Sequence, residues 1–258
     1  MLNERSGLNL IFTFLGGVVL LFIIAPIAGM YLQASPGSLA DAVGSEEVRD
    51  SVWLSLWVSL GGTLFFSLLA IPLAYLLARK SFPLKGMVNG IVDLPIIIPH
   101  TAAGIAVLGV ISRDSAFGRA ADVFGLRFVG RPAGIMLAMA FVSIPFLINA
   151  ARDGFAGVPE RLERIALTLG ASPSRVFFTI SLPLAWRSIL SGLILMWARG
   201  MSEFGAVVIV AYNPKTAPVL IFERFTSYGL KYSAPVAAVF VTVCLLIFIF
   251  LRLVKKKI

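Results

Sequence analysis

Six stretches of the chain are apolar for long enough to cross a bilayer: approximately Leu8–Leu32, Val52–Ala78, Met87–Ile111, Ala133–Ala151, Ser188–Tyr212 and Ala234–Val254. About 20 such residues in a helix cover roughly 30 Å of hydrocarbon. Within lipid a helix also satisfies its own backbone polar groups. The expected fold is therefore all-α and integral to a membrane, a single transmembrane domain over residues 1–258 with six membrane helices. Arg5 ahead of the first run imitates the start of a secretory signal, but about 25 apolar residues exceed a signal's apolar core, so the run reads as an uncleaved span.

The pattern changes character at Pro159–Pro183, a charged, amphipathic insert of about two short helices. Pro159 suits a first helical turn, where its missing N–H has no partner to lose. Val158, Leu162, Ile165, Ala166 and Leu169 recur near the helical period as one apolar stripe, with Glu160, Arg161, Glu163 and Arg164 largely off it. Gly170 is a natural stop, since glycine enters the left-handed cap conformation without steric cost. Ser172-Pro173 restarts a helix as N-cap and first residue; Val176, Phe177 and Ile180 supply its apolar face, and Pro183 ends the element.

With those residues in place the insert resembles the cytoplasmic loop signature of importer permeases of the ABC class, written E-A-A, three residues, G, nine residues, I-x-L-P. Ile180 falls at the required step from Gly170, and Leu182 and Pro183 close the pattern. The Glu-Ala-Ala positions are held by Arg164, Ile165 and Ala166, with a glutamate one residue early at Glu163. PLAYLLAR (72–79) and LPIIIPHTAAG (94–104) look like the second and third core helices of the branch that imports oxyanions, particularly molybdate and tungstate, and SEFGA (202–206) resembles a feature of the same branch. The resemblance implies a homodimeric permease with the pathway between two copies, two ATPase subunits on the cytoplasmic face that bind ATP and Mg, and an extracellular substrate-binding protein. It implies that the insert seats in a groove of the ATPase through Glu163, Arg164, Ala166, Gly170, Ala171, Ser172, Pro173 and Arg175. Relatives with these motifs carry other cargo too, so sulfate, ferric iron and thiamine stand as alternatives. Taken by periodicity alone, the same stretch also fits a helix pair lying on the bilayer.

Composition narrows the class further. At 59% hydrophobic residues and a mean hydropathy of +0.94, the chain lies outside the range of ordinary soluble domains. Its one cysteine, Cys244, excludes an intramolecular disulfide, and its one histidine, His100, excludes a His-rich metal site within one chain. The net charge of +9 does not indicate nucleic acid, because the basic residues flank apolar spans. The N-terminal end, the Arg79–Gly86 connection, the Arg152–Arg187 region and the C-terminal tail hold 13 of the 22 Lys and Arg residues. By the positive-inside rule both termini and the insert are cytoplasmic in a cell membrane. Ser112–Arg131, on the other side, runs against the rule with Arg113, Arg119, Arg127 and Arg131. Either the rule is overridden locally or this loop attracts an acidic surface or an anion.

Candidate pathway and gate residues are Pro95, Pro99, His100, Arg199, Ser202, Glu203 and Gly205. Pro72, and Pro95 with Pro99, remove backbone hydrogen bonds and bend spans two and three, which in a membrane requires polar or helical neighbours. His100 either touches an anionic substrate or simply hydrogen-bonds in a helix junction, and no acidic partner for it is identifiable along the chain. Arg199 and Glu203 are four apart and share a helix face. Charges at membrane depth face a bundle interior or an aqueous cavity, so this pair either lines the pathway or ties two helices together. Between Asn213 and Ser233, Val219–Phe225 is expected to form a short helix at the outer surface, a docking place for a delivery protein or a segment anchored by Tyr228 and Tyr232. No G-x-x-x-x-G-K-[ST] loop occurs, so the chain holds no nucleotide in that manner and energy comes from a partner. An integral-membrane enzyme acting on lipid is the alternative class, and it requires a cluster of catalytic side chains that the sparse His, Cys and carboxylates do not suggest.

Overall fold

The computed structural model describes residues 2–257, with side chains from Gly7 to Leu251 and at Leu253. The described residues form thirteen α-helices and a π-turn. In order these are α1 (Leu2–Gln33), α2 (Pro36–Gly44), α3 (Glu46–Arg79), α4 (Lys85–Ile97), α5 (His100–Ile111), α6 (Ala116–Val123), α7 (Pro132–Ala156), α8 (Glu160–Thr168), α9 (Pro173–Val176), α10 (Leu182–Met201), α11 (Gly205–Val210), α12 (Ala217–Tyr228) and α13 (Leu230–Lys257), with the π-turn at Phe177–Ser181 joining α9 to α10.

Long α7 is the axis of the bundle, and α3 and α10 are its main neighbours. Small side chains make that approach possible. Along α3 the buried positions include Ser51, Ser55, Ser59, Gly62, Thr63, Ser67, Ala70 and Ala74. Serine hydroxyls return to their own helix, Ser55 Oγ donating to the Ser51 carbonyl at 2.8 Å and Ser59 Oγ to that of Ser55 at 2.6 Å, so these buried donors are satisfied without a second helix. Helix α10 runs antiparallel to α7: a Cβ at Gly154 would meet Ser188, one at Gly192 would meet Ala150 at 2.9 Å, and one at Gly200 would approach Met139, Ser143 and Ser59. Around Phe155, Leu147, Ile189, Met196, Leu77 and Ala74 these three helices close a dry core.

Among the described residues five helices are long and apolar enough to cross a membrane, and the pair α4 and α5, bent by 112° across its break, counts as a sixth where the two halves form one broken span. The expected bent third span is thus two helices. Pro99 lacks an N–H and forces Ile98 to an extended ψ of 146°, so α4 ends and α5 starts afresh. Span five, expected as one helix from Ser188 to Tyr212, is broken as well. Here α10 stops at Met201, Ser202–Phe204 are not helical, and α11 carries the chain on to Val210, whose carbonyl accepts from Gly130 N–H at the head of α7. The peripheral α1 touches mainly α13, where Tyr31 OH lies 2.7 Å from Thr242 Oγ1 and donates to the Ala238 carbonyl, leaving its other faces to lipid. The short helix expected at Val219–Phe225 extends over Ala217–Tyr228, with Ala217 and Leu220 buried against α3 and α13 and Val219 in the core shared by α5, α7 and α11. Arg5 and the basic tail Arg252, Lys255, Lys256 and Lys257 lie outside the described side chains.

Candidate functional site

Both helix breaks converge on one charge cluster. Glu203, in the gap between α10 and α11, is only 2% exposed. Its Oε2 accepts from Arg199 Nη2 at 2.9 Å and stands 2.9 Å from His100 Nδ1. The other oxygen accepts from the Ala206 N–H at 2.9 Å, so the carboxylate also ties down the first turn of α11. Arg199 Nη2 is nearly equidistant from the two ring nitrogens of His100, at 2.9 and 3.0 Å, an approach over the ring in place of a single hydrogen bond. His100 is the first residue of α5, so the cluster links the α4–α5 break to the α10–α11 break.

Backbone contact holds those breaks together. A Cβ at Gly205 would sit 2.7 Å from His100 Cβ, and one at Gly104 would sit 2.8 Å from the Ala206 carbonyl oxygen, so the two glycines let α5 and α11 pack backbone to backbone. Along the helical rise, Glu203 is roughly 10 Å from the α11 end that meets α7 and roughly 30 Å from the start of α10, which places three ionisable groups at membrane depth. Charge there is tolerated because it is paired or open to water. The histidine and arginine side chains are 41% and 26% exposed, so the acid is sealed while both nitrogen-bearing groups reach an open face. Such an arrangement can offer positive charge to an anion without leaving the buried carboxylate unpaired.

Of the candidate pathway residues, His100, Arg199, Glu203 and Gly205 meet in this cluster. Pro99 caps α5 beside it, whereas Pro95 is buried one turn back inside α4 and Ser202 is exposed, its hydroxyl donating to the Arg199 carbonyl. The acidic partner of His100, absent from its sequence neighbourhood, comes from a residue 103 positions away. A second polar contact had no expectation attached: Asn149 Nδ2 on α7 donates to Asp93 Oδ1 on α4 at 2.6 Å. The lone carboxylate inside an apolar run was the available signal.

The insert has the opposite polarity from a simple amphipathic pair. Glu163 is turned inward and is 8% exposed. It accepts from Arg79 Nε and Nη2 at 3.0 and 2.8 Å, from Ser181 Oγ at 2.7 Å and from Tyr75 OH at 3.3 Å. Arg79 Nη2 also donates to the Val158 carbonyl, clamping both ends of α8's approach to the bundle. The wider π-turn brings Ser181 onto the carboxylate. Burial by itself would raise this carboxyl's pKa, but the hydrogen bonds from Arg79 and Ser181 and the guanidinium charge together hold it below the usual range. Glu163 is therefore a link between α3 and the insert, and is not on the surface where a partner would meet it. The outward face carries Leu162, Ile165, Leu167 and Leu169, flanked by Arg161 and Arg164. Arg164 pairs along the helix with Glu160, and Ser172 Oγ accepts from Arg175 N–H to cap α9, with Pro173 as its first residue. Gly170 has φ +89°, a conformation suited to glycine, and Ala166 and Ala171 are half-buried at this turn, joined by the Ala171 N–H to Ala166 carbonyl bond.

Comparison with known proteins agrees with this architecture. The sequence profile of the family described as "Binding-protein-dependent transport system inner membrane component" matches residues 70–258. The "Molybdate/tungstate transport system permease protein WtpB" of Pyrococcus furiosus is 42% identical over 257 residues, covering 97% of this chain and 96% of the relative. Its namesake in Thermococcus kodakarensis is 45% identical over 254 residues, covering 96% of each. Among solved structures, a bacterial ABC transporter involved in import of the acidic polysaccharide alginate superposes with a TM-score of 0.75 at 18% identity, over 99% of this chain and 97% of that one. The same transporter type in complex with an alginate pentasaccharide-bound periplasmic protein gives 0.74 at 18% identity, over 96% of this chain and 94% of the other.

Proposed function

The chain belongs to the family of binding-protein-dependent transport system inner membrane components, and from that premise we propose that it is the permease subunit of an ATP-driven importer of molybdate and tungstate. The observation that carries the substrate is the near full-length similarity to permeases of that name in two organisms. As a transport subunit it is not itself the catalyst; ATP and Mg bind two partner ATPase subunits, and a second copy of the chain completes the pathway. Both termini and the insert face the cytoplasm, which the basic residues around the insert support. A binding protein delivers substrate at the opposite end, in line with the fold shared with a transporter solved with its periplasmic protein.

In this reading the exposed leucine and isoleucine stripe of α8, with Arg161, Arg164 and Arg175 at its margins, seats in the ATPase. The ATPase's two states bind it differently, because only differential affinity shifts an equilibrium between inward and outward access. Movement of the insert reaches α3 through the Arg79–Glu163 pair, and the broken helices carrying His100, Arg199 and Glu203 form the gate. The Arg199 guanidinium facing the open side suits a divalent oxyanion passing a membrane-depth constriction.

The test is reconstitution of the chain with its ATPase and binding protein. Molybdate or tungstate should stimulate ATP hydrolysis and accumulate inside vesicles, with sulfate ineffective. Sulfate stimulation with no response to molybdate or tungstate would reassign the substrate, and failure to co-purify with any ATPase would discard the coupling. Gly170→Val should leave membrane insertion intact and abolish stimulation, since a side chain at φ +89° costs about 1–2 kcal/mol locally and reshapes the α8–α9 turn.

A further inference from the structure

The connection between α5 and α7 lies apart in the chain from both the charge cluster and the insert. Helix α7 is about 37 Å long along its axis, so its N-terminal end, where α6 lies, is on the side of the bundle away from the insert. There α6 is pinned to the end of α5. Ser115 Oγ accepts from the Gly118 N–H at 2.8 Å, and at Gly118 any Cβ would collide with the Ser112 carbonyl. Phe117 stacks on Phe128 with ring centroids 5.7 Å apart. Held this way, the helix and its exit turn expose Val123 and Phe124 at 82% and 81%, with Leu126 beside them.

Next to those apolar side chains, Arg113, Arg127 and Arg131 line an open cavity of about 460 Å³ together with Ser112, Leu126, Phe128 and Val129. Acidic compensation is thin. Asp122 Oδ1 lies 3.3 Å from Arg127 Nε and 3.8 Å from Arg113 Nη2, both longer than a tight ion pair. The side chain of Arg131 makes no hydrogen bond or ion pair among the described residues, and Arg119 is occupied by the Asp114 carbonyl.

We propose that the α6 connection is a lipid-binding element, in which Val123, Phe124 and Leu126 enter the acyl region and Arg113, Arg127 and Arg131 hold the phosphate of an anionic phospholipid. Continuity with the bilayer argues for lipid, because α7 is long and apolar enough to cross the membrane and the connection joins its N-terminal end, at the membrane surface. Apolar side chains more than four-fifths exposed, directly beside three guanidiniums facing one carboxylate, match the two layers of a lipid interface: acyl chain below, phosphate above. The excess of arginine on this side of the membrane is then a headgroup site, which is why the charge rule for topology fails there.

The full-length permease, purified in detergent and exchanged into equal amounts of phosphatidylglycerol and phosphatidylcholine, is read by native mass spectrometry for lipids retained. Arg113→Gln, Arg127→Gln and Arg131→Gln combined should lower retention of phosphatidylglycerol relative to phosphatidylcholine by roughly a hundredfold, at about 1 kcal/mol per arginine. The matching triple Lys variant should keep most of the preference. Independently, Phe124→Cys in a Cys244→Ala background, labelled with a fluorophore in nanodiscs, should be quenched by lipids brominated in the acyl chain. An unchanged lipid ratio in the Gln variant, or an unquenched label, would overturn the proposal. So would arginine-dependent binding of free orthophosphate with the lipid ratio unchanged, which marks a soluble-anion site. Loss of binding-protein capture without loss of lipid marks a protein-docking surface and overturns it equally.

Discussion

Among the described residues, two Arg–Glu pairs with a buried carboxylate look alike in outline and differ in what surrounds them. At the insert, Arg79 and Glu163 side chains are 8% and 10% exposed, and the carboxylate receives bonds from Arg79, Ser181 and Tyr75, three residues on two separate elements. At the helix breaks, Glu203 is sealed, but its partners Arg199 and His100 reach an open face. A pair closed on both sides has no alternative partner and behaves as a fixed joint. In a pair closed on one side, the cation can exchange its carboxylate for a passing anion at modest cost. On the proposed function the same chemistry would serve transmission at one end and response in the middle, and exposure of the cation separates the two.

The largest effect is expected at the closed joint. Glu163→Ala leaves Arg79 charged and buried with the Val158 carbonyl in place of its carboxylate, and removal of one partner of a buried pair costs about 3–5 kcal/mol. Thermal unfolding of the purified chain should drop by the largest margin of any variant discussed, and substrate-stimulated ATP hydrolysis should vanish while basal hydrolysis persists. The same joint gives a pH signature. Because Glu163 titrates below an unfolded carboxylate, its contribution is complete above the unfolded pKa of about 4.3 and is lost as pH falls through its lower folded value. Stability should therefore be flat on this account from neutrality to about pH 5, and Glu163→Gln should remove the acid-side decline. An unaltered acid limb in that variant would show that the joint does not titrate as argued.

At the open cluster the expected loss is smaller. Arg199→Ala leaves the buried Glu203 with the Ala206 N–H and His100, so the penalty is about 2 kcal/mol rather than the full cost of an abandoned charge. Transport should suffer more than stability, and the two readouts should separate here where they fall together at Glu163. Glu203→Gln keeps an acceptor for Ala206 and should be milder in unfolding than Arg199→Ala. Equal destabilisation by Glu163→Ala and Arg199→Ala would erase the distinction between joint and gate.

Much of this was legible in the chain, and the limits have physical causes. The i, i+4 spacing announced the Arg199–Glu203 contact, and the prolines announced trouble in span three. Sequence spacing did not reveal that α10 ends between those two residues, because Ser202–Phe204 contain no proline and the apolar run resumes directly after them; the break is tied by tertiary partners, with His100 against Glu203 and Gly205. The insert's helix signals were local and clear: Pro159, Gly170, Ser172 and Pro173 each act within one turn. Which face of α8 turns inward was not local, since Arg79 lies 84 residues earlier and outweighs the apolar stripe for the buried position. Asp93 and Asn149 illustrate the same limit. A lone carboxylate in an apolar run signals that a partner exists without saying which helix supplies it.

A third charge network sharpens the comparison from the weak side. On the end of the bundle away from the insert, Lys215 Nζ reaches Glu223 Oε1 at 2.7 Å and Glu47 Oε1 at 3.0 Å, and Arg224 also contacts Glu47, joining the start of α3 to α12. The Glu223 and Glu47 bonds raise the Lys215 ammonium above its ordinary value, while Lys215 lowers Glu223. With the sign worked out, the lysine's share is present below its unfolded value of about 10.4 and disappears as pH rises through the folded one, whereas the Glu223 share disappears on the acid side. Glu47 is 42% exposed, so water and salt already screen the network. Lys215→Ala should cost about 0.5 kcal/mol at low ionic strength, and the loss should shrink further at high salt. Unfolding of this variant measured across ionic strength, beside Glu163→Ala, places the two ends of the scale in one experiment. The closed joint should be nearly indifferent to salt and the exposed network strongly dependent on it, because screening acts only on charges that water can reach.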